Sequence, residues 1–183
     1  MGLTGIQKGW RFGFGLFGAY AAALAGAAAS VHAREFYLTL DRPAWAPPGW
    51  IFGPVWTVLF TLMGLAAGLA ACGPVEKVDG LEDTPQKGGT LEMQRHVRAA
   101  MTLYVAQLLV NALWSWWFFA WRQGSAAFGD IVLLWILIAS TIRAFGIIRP
   151  LAAVLMLPYL AWVTFAAALC LVEWRMNPSQ LGW

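Results

Sequence analysis

The stretch Pro43-Ala44-Trp45-Ala46-Pro47-Pro48-Gly49-Trp50-Ile51-Phe52-Gly53-Pro54-Val55-Trp56-Thr57-Val58-Leu59-Phe60 joins a tryptophan-bearing proline loop to an apolar run of membrane length. It holds three tryptophans and four prolines in eighteen residues. Proline fixes φ, removes a backbone donor and biases the residue before it toward extended backbone, so the chain ahead of Trp50 is expected to be extended and stiff. Beyond the loop, Phe52, Trp56, Phe60, Met63 and Ala67 recur at helical spacing and share a face. Pre-ordered indoles at the mouth of a helix bundle read as a lid over a flat apolar ligand.

Composition independently calls for a membrane. Of 183 residues, 60% are hydrophobic and 11% charged, with a mean hydropathy of +0.63. A soluble domain of this size cannot hide so much apolar surface. A spanning helix needs roughly 20 mostly apolar residues. Five segments qualify, at about 11–32, 50–72, 98–121, 125–148 and 151–174. The expected fold is an all-α membrane protein, a single domain over 1–183 forming a five-transmembrane-helix bundle. A lid loop occupies 33–49 and a polar loop 73–97. The second loop mixes Glu76, Asp79, Glu82, Asp83, Lys87 and Glu92 with glycines, and reads as a mobile, passive linker with a short helical start toward the third span.

The net charge of +3 is modest and its basic residues are scattered at segment ends, so no nucleic-acid surface is expected. Lys8, Arg11, Lys77, Lys87, Arg95, Arg98, Arg143 and Arg149 fall on the N-terminal side, and Arg34, Arg42, Arg122 and Arg175 on the other. Eight against four favours a cytoplasmic N-terminus in a bacterial cell membrane. Cys72, Cys170, His32 and His96 show no metal or redox spacing, so neither a metal site nor a required cofactor is expected.

The first span is crowded with small residues. Gly15, Ala19, Ala23 and Ala27 recur every four positions, as do Gly18, Ala22 and Gly26, and the second span carries Gly64-x-x-x-Gly68. Such stripes let backbones approach closely, either inside one bundle or in a homodimer. In the third span Gln107, Asn111, Trp114 and Phe118 share a face, with Trp116 on the opposite side toward lipid. Amides are costly against lipid, so this face points inward, for interhelical hydrogen bonds, ligand contact or both. In the fifth span Pro158, Trp162, Phe165, Ala166 and Leu169 share a face, and Pro158 is expected to bend the helix beside Trp162. Periodicity alone leaves these aromatic stripes open between packing and a pocket. Asp130 and Arg143, about 20 Å apart along the fourth span, are expected to snorkel to opposite interfaces.

Three motifs carry a resemblance: the opening run, Gln107-Leu-Leu-Val-Asn111-Ala-Leu-Trp114-Ser115-Trp-Trp-Phe118-Phe119, and Leu157-Pro158-Tyr159-Leu160-Ala161-Trp162-Val163-Thr164-Phe165-Ala166. In order and spacing they resemble the tryptophan-rich sensory protein or translocator protein family, the peripheral-type benzodiazepine receptors. The likeness covers roughly 36–72 and 103–177. It implies five helices and a pocket for porphyrins, sterols and synthetic aromatic ligands beneath the first loop. Carried onto matching positions, it implies ligand contacts from Trp45, Trp50, Trp56, Phe60, Asn111, Trp114, Phe118, Trp162 and Ala166. The chain departs from the family pattern at Phe36, where Trp is usual, and at Cys170, where Asn is usual. The sterol-associated motif lacks its tyrosine in Leu169-Cys-Leu-Val-Glu173-Trp174-Arg175. The expected function is a membrane receptor or sensor for protoporphyrin IX-like tetrapyrroles, with the lipid bilayer as its other partner. The competing expectations are light-dependent porphyrin breakdown, with Trp56 and Trp162 as the redox-active indoles, and transport of tetrapyrrole or sterol-like molecules. No nucleophile–base pair supports hydrolysis or group transfer.

Overall fold

The computed structural model describes residues 4–73 and 87–182, the side chains of 87–90 excepted. Helix α1 (Gly5–Ala29) opens on a capping box in which Thr4 Oγ1 accepts from the Gln7 amide and the Gln7 side chain accepts from the Thr4 amide. It therefore starts six residues before the apolar run read from sequence. A short helix α2 (Ala33–Thr39) follows, and a tight turn Gly49–Ile51 leads into α3 (Phe52–Ala71). The 33–49 lid is thus helical in its first part and extended only beyond it.

Helix α4 (Lys87–Ser115) continues as a wider π-helical turn, Trp116–Ala120. The span expected at 98–121 begins eleven residues earlier. The back half of the stretch expected as a 73–97 loop is therefore helix, while its front half, 74–86, lies outside the described residues. Helix α5 covers Gly124–Ile148. Helix α6 (Pro150–Met176) begins with proline, where a missing amide costs nothing, and a short α7 (Pro178–Leu181) follows. Five of these elements, α1, α3 with its preceding turn, α4, α5 and α6, are long and apolar enough to cross a membrane. The protein is an all-α, five-span membrane bundle.

The spans close a ring in the order α1–α3–α6–α5–α4. Outward-facing Phe14, Phe17, Leu24, Leu109, Leu133, Ile136 and Val154 give the ring an apolar exterior suited to lipid. In the half of the ring away from the lid the helices pack closely around the axis, leaving a shallower hollow at the end, between Arg11, Ala71 and Arg98. Within this packed half Gly15 lies against the Gly64 carbonyl and Gly68, and Gly64 against Leu16, where an added Cβ would meet Leu16 at 2.7 Å. The small-residue stripes thus seat α1 on α3, and Gly26 seats α1 on Ser115 of α4. Tyr104 Oη donates to the Gly15 carbonyl at 2.9 Å across the same floor. Met63, Ile138, Phe145, Ala152, Met156 and Tyr159 fill the middle completely.

Two expectations change, for Asp130 and for Pro158. Asp130 does not snorkel but is buried on the inner side of α5. Pro158 is exposed, so the inward part of the expected α6 face is Trp162, Ala166 and Leu169, joined by Tyr159, Val163, Cys170 and Glu173. Helix α6 also runs through Pro158 without interruption. Trp116 is 36% exposed, yet its indole N–H donates to the Ala25 carbonyl of α1 at 3.2 Å.

Candidate ligand pocket

Above the packed floor the ring opens into a cavity of about 790 Å³. All five spans supply wall. Ala23 and Gly26 come from α1, Trp56 and Phe60 from α3, Asn111 and Trp114 from α4. Ile131 and Leu134 come from α5, Trp162 and Ala166 from α6. Small residues on α1 leave the space that indoles on the other helices enclose. The physical cause is the unequal size of facing side chains, since a close-packed interior leaves no such volume by default.

Of the residues expected at a ligand site, Trp50, Trp56, Phe60, Asn111, Trp114, Phe118, Trp162 and Ala166 all line this cavity. Trp45 does not. Its indole stands outside, half exposed, with its ring edge-on to Phe165 at 5.8 Å, and Phe165 in turn leans on Trp162 at 5.5 Å. Trp50 sits at the mouth and is 74% exposed. Trp114 stacks on Phe118 at 5.1 Å, nearly parallel, and Trp56 lies beside Phe60 at 5.4 Å. Parallel and edge-on aromatic pairs fix the indole planes that a flat guest would meet.

Asn111 Nδ2 donates to Tyr159 Oη at 2.8 Å, so α4 and α6 are tied beneath the cavity. Such a bond is worth roughly 0.6–2 kcal/mol between helices in a bilayer. Gln107 lies deeper, fully buried, with only the Met63 sulfur in reach at 3.9 Å. Among the described residues, two indole donors of the wall, Trp114 Nε1 and Trp162 Nε1, are buried without a partner. An unpaired buried donor costs about 1–3 kcal/mol, a deficit a guest with acceptors would relieve.

The lid is locked down at several points. Asn177, between α6 and α7, acts as a surrogate strand: its side chain accepts from the Asp41 amide at 2.8 Å and donates to the Asp41 carbonyl at 2.8 Å. Tyr37 Oη donates to the Pro47 carbonyl at 3.1 Å, folding the proline segment back over α2. The Tyr37 ring meets Phe52 edge-on at 5.7 Å, and Phe36 meets Phe118 at 6.3 Å. Arg42 and Arg122 each lie over one of these lid rings at 4.7 Å. Burial, with the Glu173 carboxyl nearby, pushes the Tyr37 hydroxyl above its ordinary pKa, so it stays a neutral donor.

Sequence reasoning passed over four residues of this region: Tyr37 and Arg34 on the lid, and Cys170 and Glu173 on α6, all of which line the cavity. A signal for Glu173 was present, because an acidic side chain inside an apolar span is costly and marks function. Tyr37 and Arg34 carried no such signal, since α2 is too short for periodicity to show.

A closed ring of membrane-spanning helices around an aromatic cavity, capped by a proline-rich lid, defines a multi-pass integral membrane protein built around an internal chamber. Residues 14–175 match the TspO/MBR family. The chain is 37% identical over 146 residues to the tryptophan-rich protein TspO of Chlorobaculum tepidum, covering 80% of this chain and 82% of that one. It is 34% identical over 143 residues to the tryptophan-rich sensory protein of Cereibacter sphaeroides, covering 78% and 77%. It is also 34% identical over 148 residues to the translocator protein of Homo sapiens, covering 81% and 78%. The chain belongs to the TspO/MBR family of membrane sensors and translocators.

Proposed function

We propose that this protein is a membrane receptor that binds porphyrins of the protoporphyrin IX type, and other flat apolar aromatic molecules, one per chain in the cavity. The observation that carries this reading is the cavity itself: about 790 Å³, walled by indole and phenyl rings from several helices. Ligand sites are commonly 300–1,000 Å³, mostly apolar, with a few polar groups for orientation. Here stacking on Trp56, Trp114 and Trp162 supplies affinity, and Arg34 at the mouth offers a cation to a ligand's carboxylates. No cofactor is required; the porphyrin is the ligand. The test is titration of purified protein with protoporphyrin IX in darkness. Tryptophan emission quenches and the porphyrin band shifts, saturating near one equivalent. Unchanged spectra at micromolar porphyrin in folded protein defeat the reading.

Light-dependent breakdown of the bound porphyrin is the second reading. It is favoured by the placement of two oxidisable indoles, Trp56 and Trp162, in the wall, with Trp56 6.2 Å from the buried Tyr159 ring. An excited porphyrin brings its own driving force and dissolved dioxygen is the oxidant, so the protein need only position the porphyrin and an oxidisable indole. Illumination of the complex then bleaches the porphyrin band, more slowly in Trp162→Phe, and nothing changes in darkness. Bleaching equal to that of free porphyrin in detergent leaves binding alone. The excess of Lys and Arg at the floor end supports a cytoplasmic N-terminus in a bacterial cell membrane, with the lid on the opposite side. A homodimer would use the outer faces, since the small-residue stripes of α1 and α3 are engaged within the ring.

A further inference from the structure

Glu173 and Arg34 are the charged side chains in the cavity wall, and they differ in kind. Arg34 is exposed at the mouth. Glu173 is 2% exposed, and its Oε1 is buried with no hydrogen-bond partner. Among the described residues no basic nitrogen lies within 4.0 Å of it. The groups around it are already engaged. The Tyr37 hydroxyl lies beside the Glu173 carboxyl but gives its proton to the Pro47 carbonyl at 3.1 Å, and the Asn177 side chain reaches only the backbone carbonyl of residue 173. The Arg42 guanidinium lies over the Tyr37 ring on the exposed side of the lid. A buried acceptor left without a donor is rare and unfavourable. Its side chain also borders the cavity, so a guest there can supply the donor that the carboxyl lacks.

We propose that Glu173 is the specificity-determining acceptor of this pocket, taking an N–H group of a planar aromatic ligand. The proposal rests on reading the cavity as an aromatic-ligand pocket and adds which ligands it prefers. An N–H borne on the ring system, neutral as in a pyrrole or cationic as in a protonated amine, satisfies Glu173. A guest of the same outline without one leaves it unpaired. A carboxylate edge is turned away from Glu173 and toward Arg34, which orients an amphiphilic guest within the chamber.

The test uses two pairs of probes of nearly equal shape on the full chain in lipid nanodiscs, with empty discs subtracted. Carbazole and fluorene differ by a neutral N–H against CH₂; 9-aminoacridine differs from anthracene by a ring nitrogen, protonated at neutral pH, and the amino group across from it. Equilibrium dialysis gives the ratio of affinities within each pair. The native chain is expected to favour the N–H member of at least one pair by about tenfold, the order of one buried hydrogen bond to a charged group. Glu173→Leu brings that ratio to one. Glu173→Gln, close in volume and still an acceptor, keeps the carbazole preference and loses the 9-aminoacridine preference if the cation is what is read. Ratios of one for both pairs in the native chain overturn the proposal, as does a preference that survives Glu173→Leu. Fluorene and anthracene still binding in that case leaves the pocket reading intact. If all four probes and protoporphyrin IX fail to bind folded protein, the pocket reading falls, and the proposal with it.

Discussion

Single side chains divide here into those that face the chamber and those that hold it. Trp56→Ala and Trp162→Ala each remove a wall ring, and each should weaken porphyrin binding by roughly 1–3 kcal/mol, by analogy with base–aromatic stacking. Trp116→Ala should leave affinity unchanged but lower thermal stability, because that indole ties α4 to Ala25 of α1. Quenching titrations and melting curves on the three variants check this. Equal losses of affinity in all three would show that helical phase does not sort these residues. The phase of α3 and α4 was readable because Trp56, Phe60, Asn111 and Phe118 repeat at helical intervals. The phase of α6 was legible at Trp162, Ala166 and Leu169 but not a turn earlier, where Pro158 faces outward and Tyr159 beside it is wholly buried. The resemblance put Trp45 at the ligand site, but a proline loop has no period to fix its indole, which packs on Phe165 outside the wall.

Among whole elements, α1 depends most on small size. Its contact with α3 has no room at Gly64, where a Cβ would approach the Leu16 backbone at 2.8 Å. Gly64→Val should therefore push α1 off the ring and cost about 1–3 kcal/mol, in the manner of other overpacked sites. Gly53→Ala serves as the control, because nothing lies within 4 Å of a Cβ there. Thermal unfolding in detergent compares the two, and equal melting temperatures would mean that α1 is not seated through this contact. Gly64-x-x-x-Gly68 was legible as a close-approach motif, but not its partner, since one stripe suits a neighbour in the same chain or in another. The start of α4 was hidden for a different reason. Gly88-Gly89 and the charges after them read as loop, whereas the helix carries on through them. The π turn at Trp116–Ala120 leaves no sequence signal at all, although it sets where Phe118 points.

At the scale of the molecule, the two ends of the bundle do different work. The ends of α3 and α4, joined by residues 72–86, lie on the floor side, away from the lid; the 76–90 part of the expected loop runs into the start of α4. Deleting much of that connection should leave porphyrin affinity and stoichiometry unchanged, because closure entropy varies slowly with loop length. A folded deletion variant that no longer binds would give the second connection a part in the chamber. The five-span ring itself was legible in composition and hydropathy, and the side of the bundle that carries the chamber in the prolines and tryptophans of 43–56. The floor was not legible, because it is made of glycines and alanines whose value lies in what they let approach. That floor has a consequence for traffic. If a guest binds as proposed against Trp56 and Trp162, the packed Met63 and Phe145 and the Gly15–Gly64 contact stand between it and the far end of the bundle. Such a guest would leave by the lid end through which it came, and passage to the other end would require the helices to part.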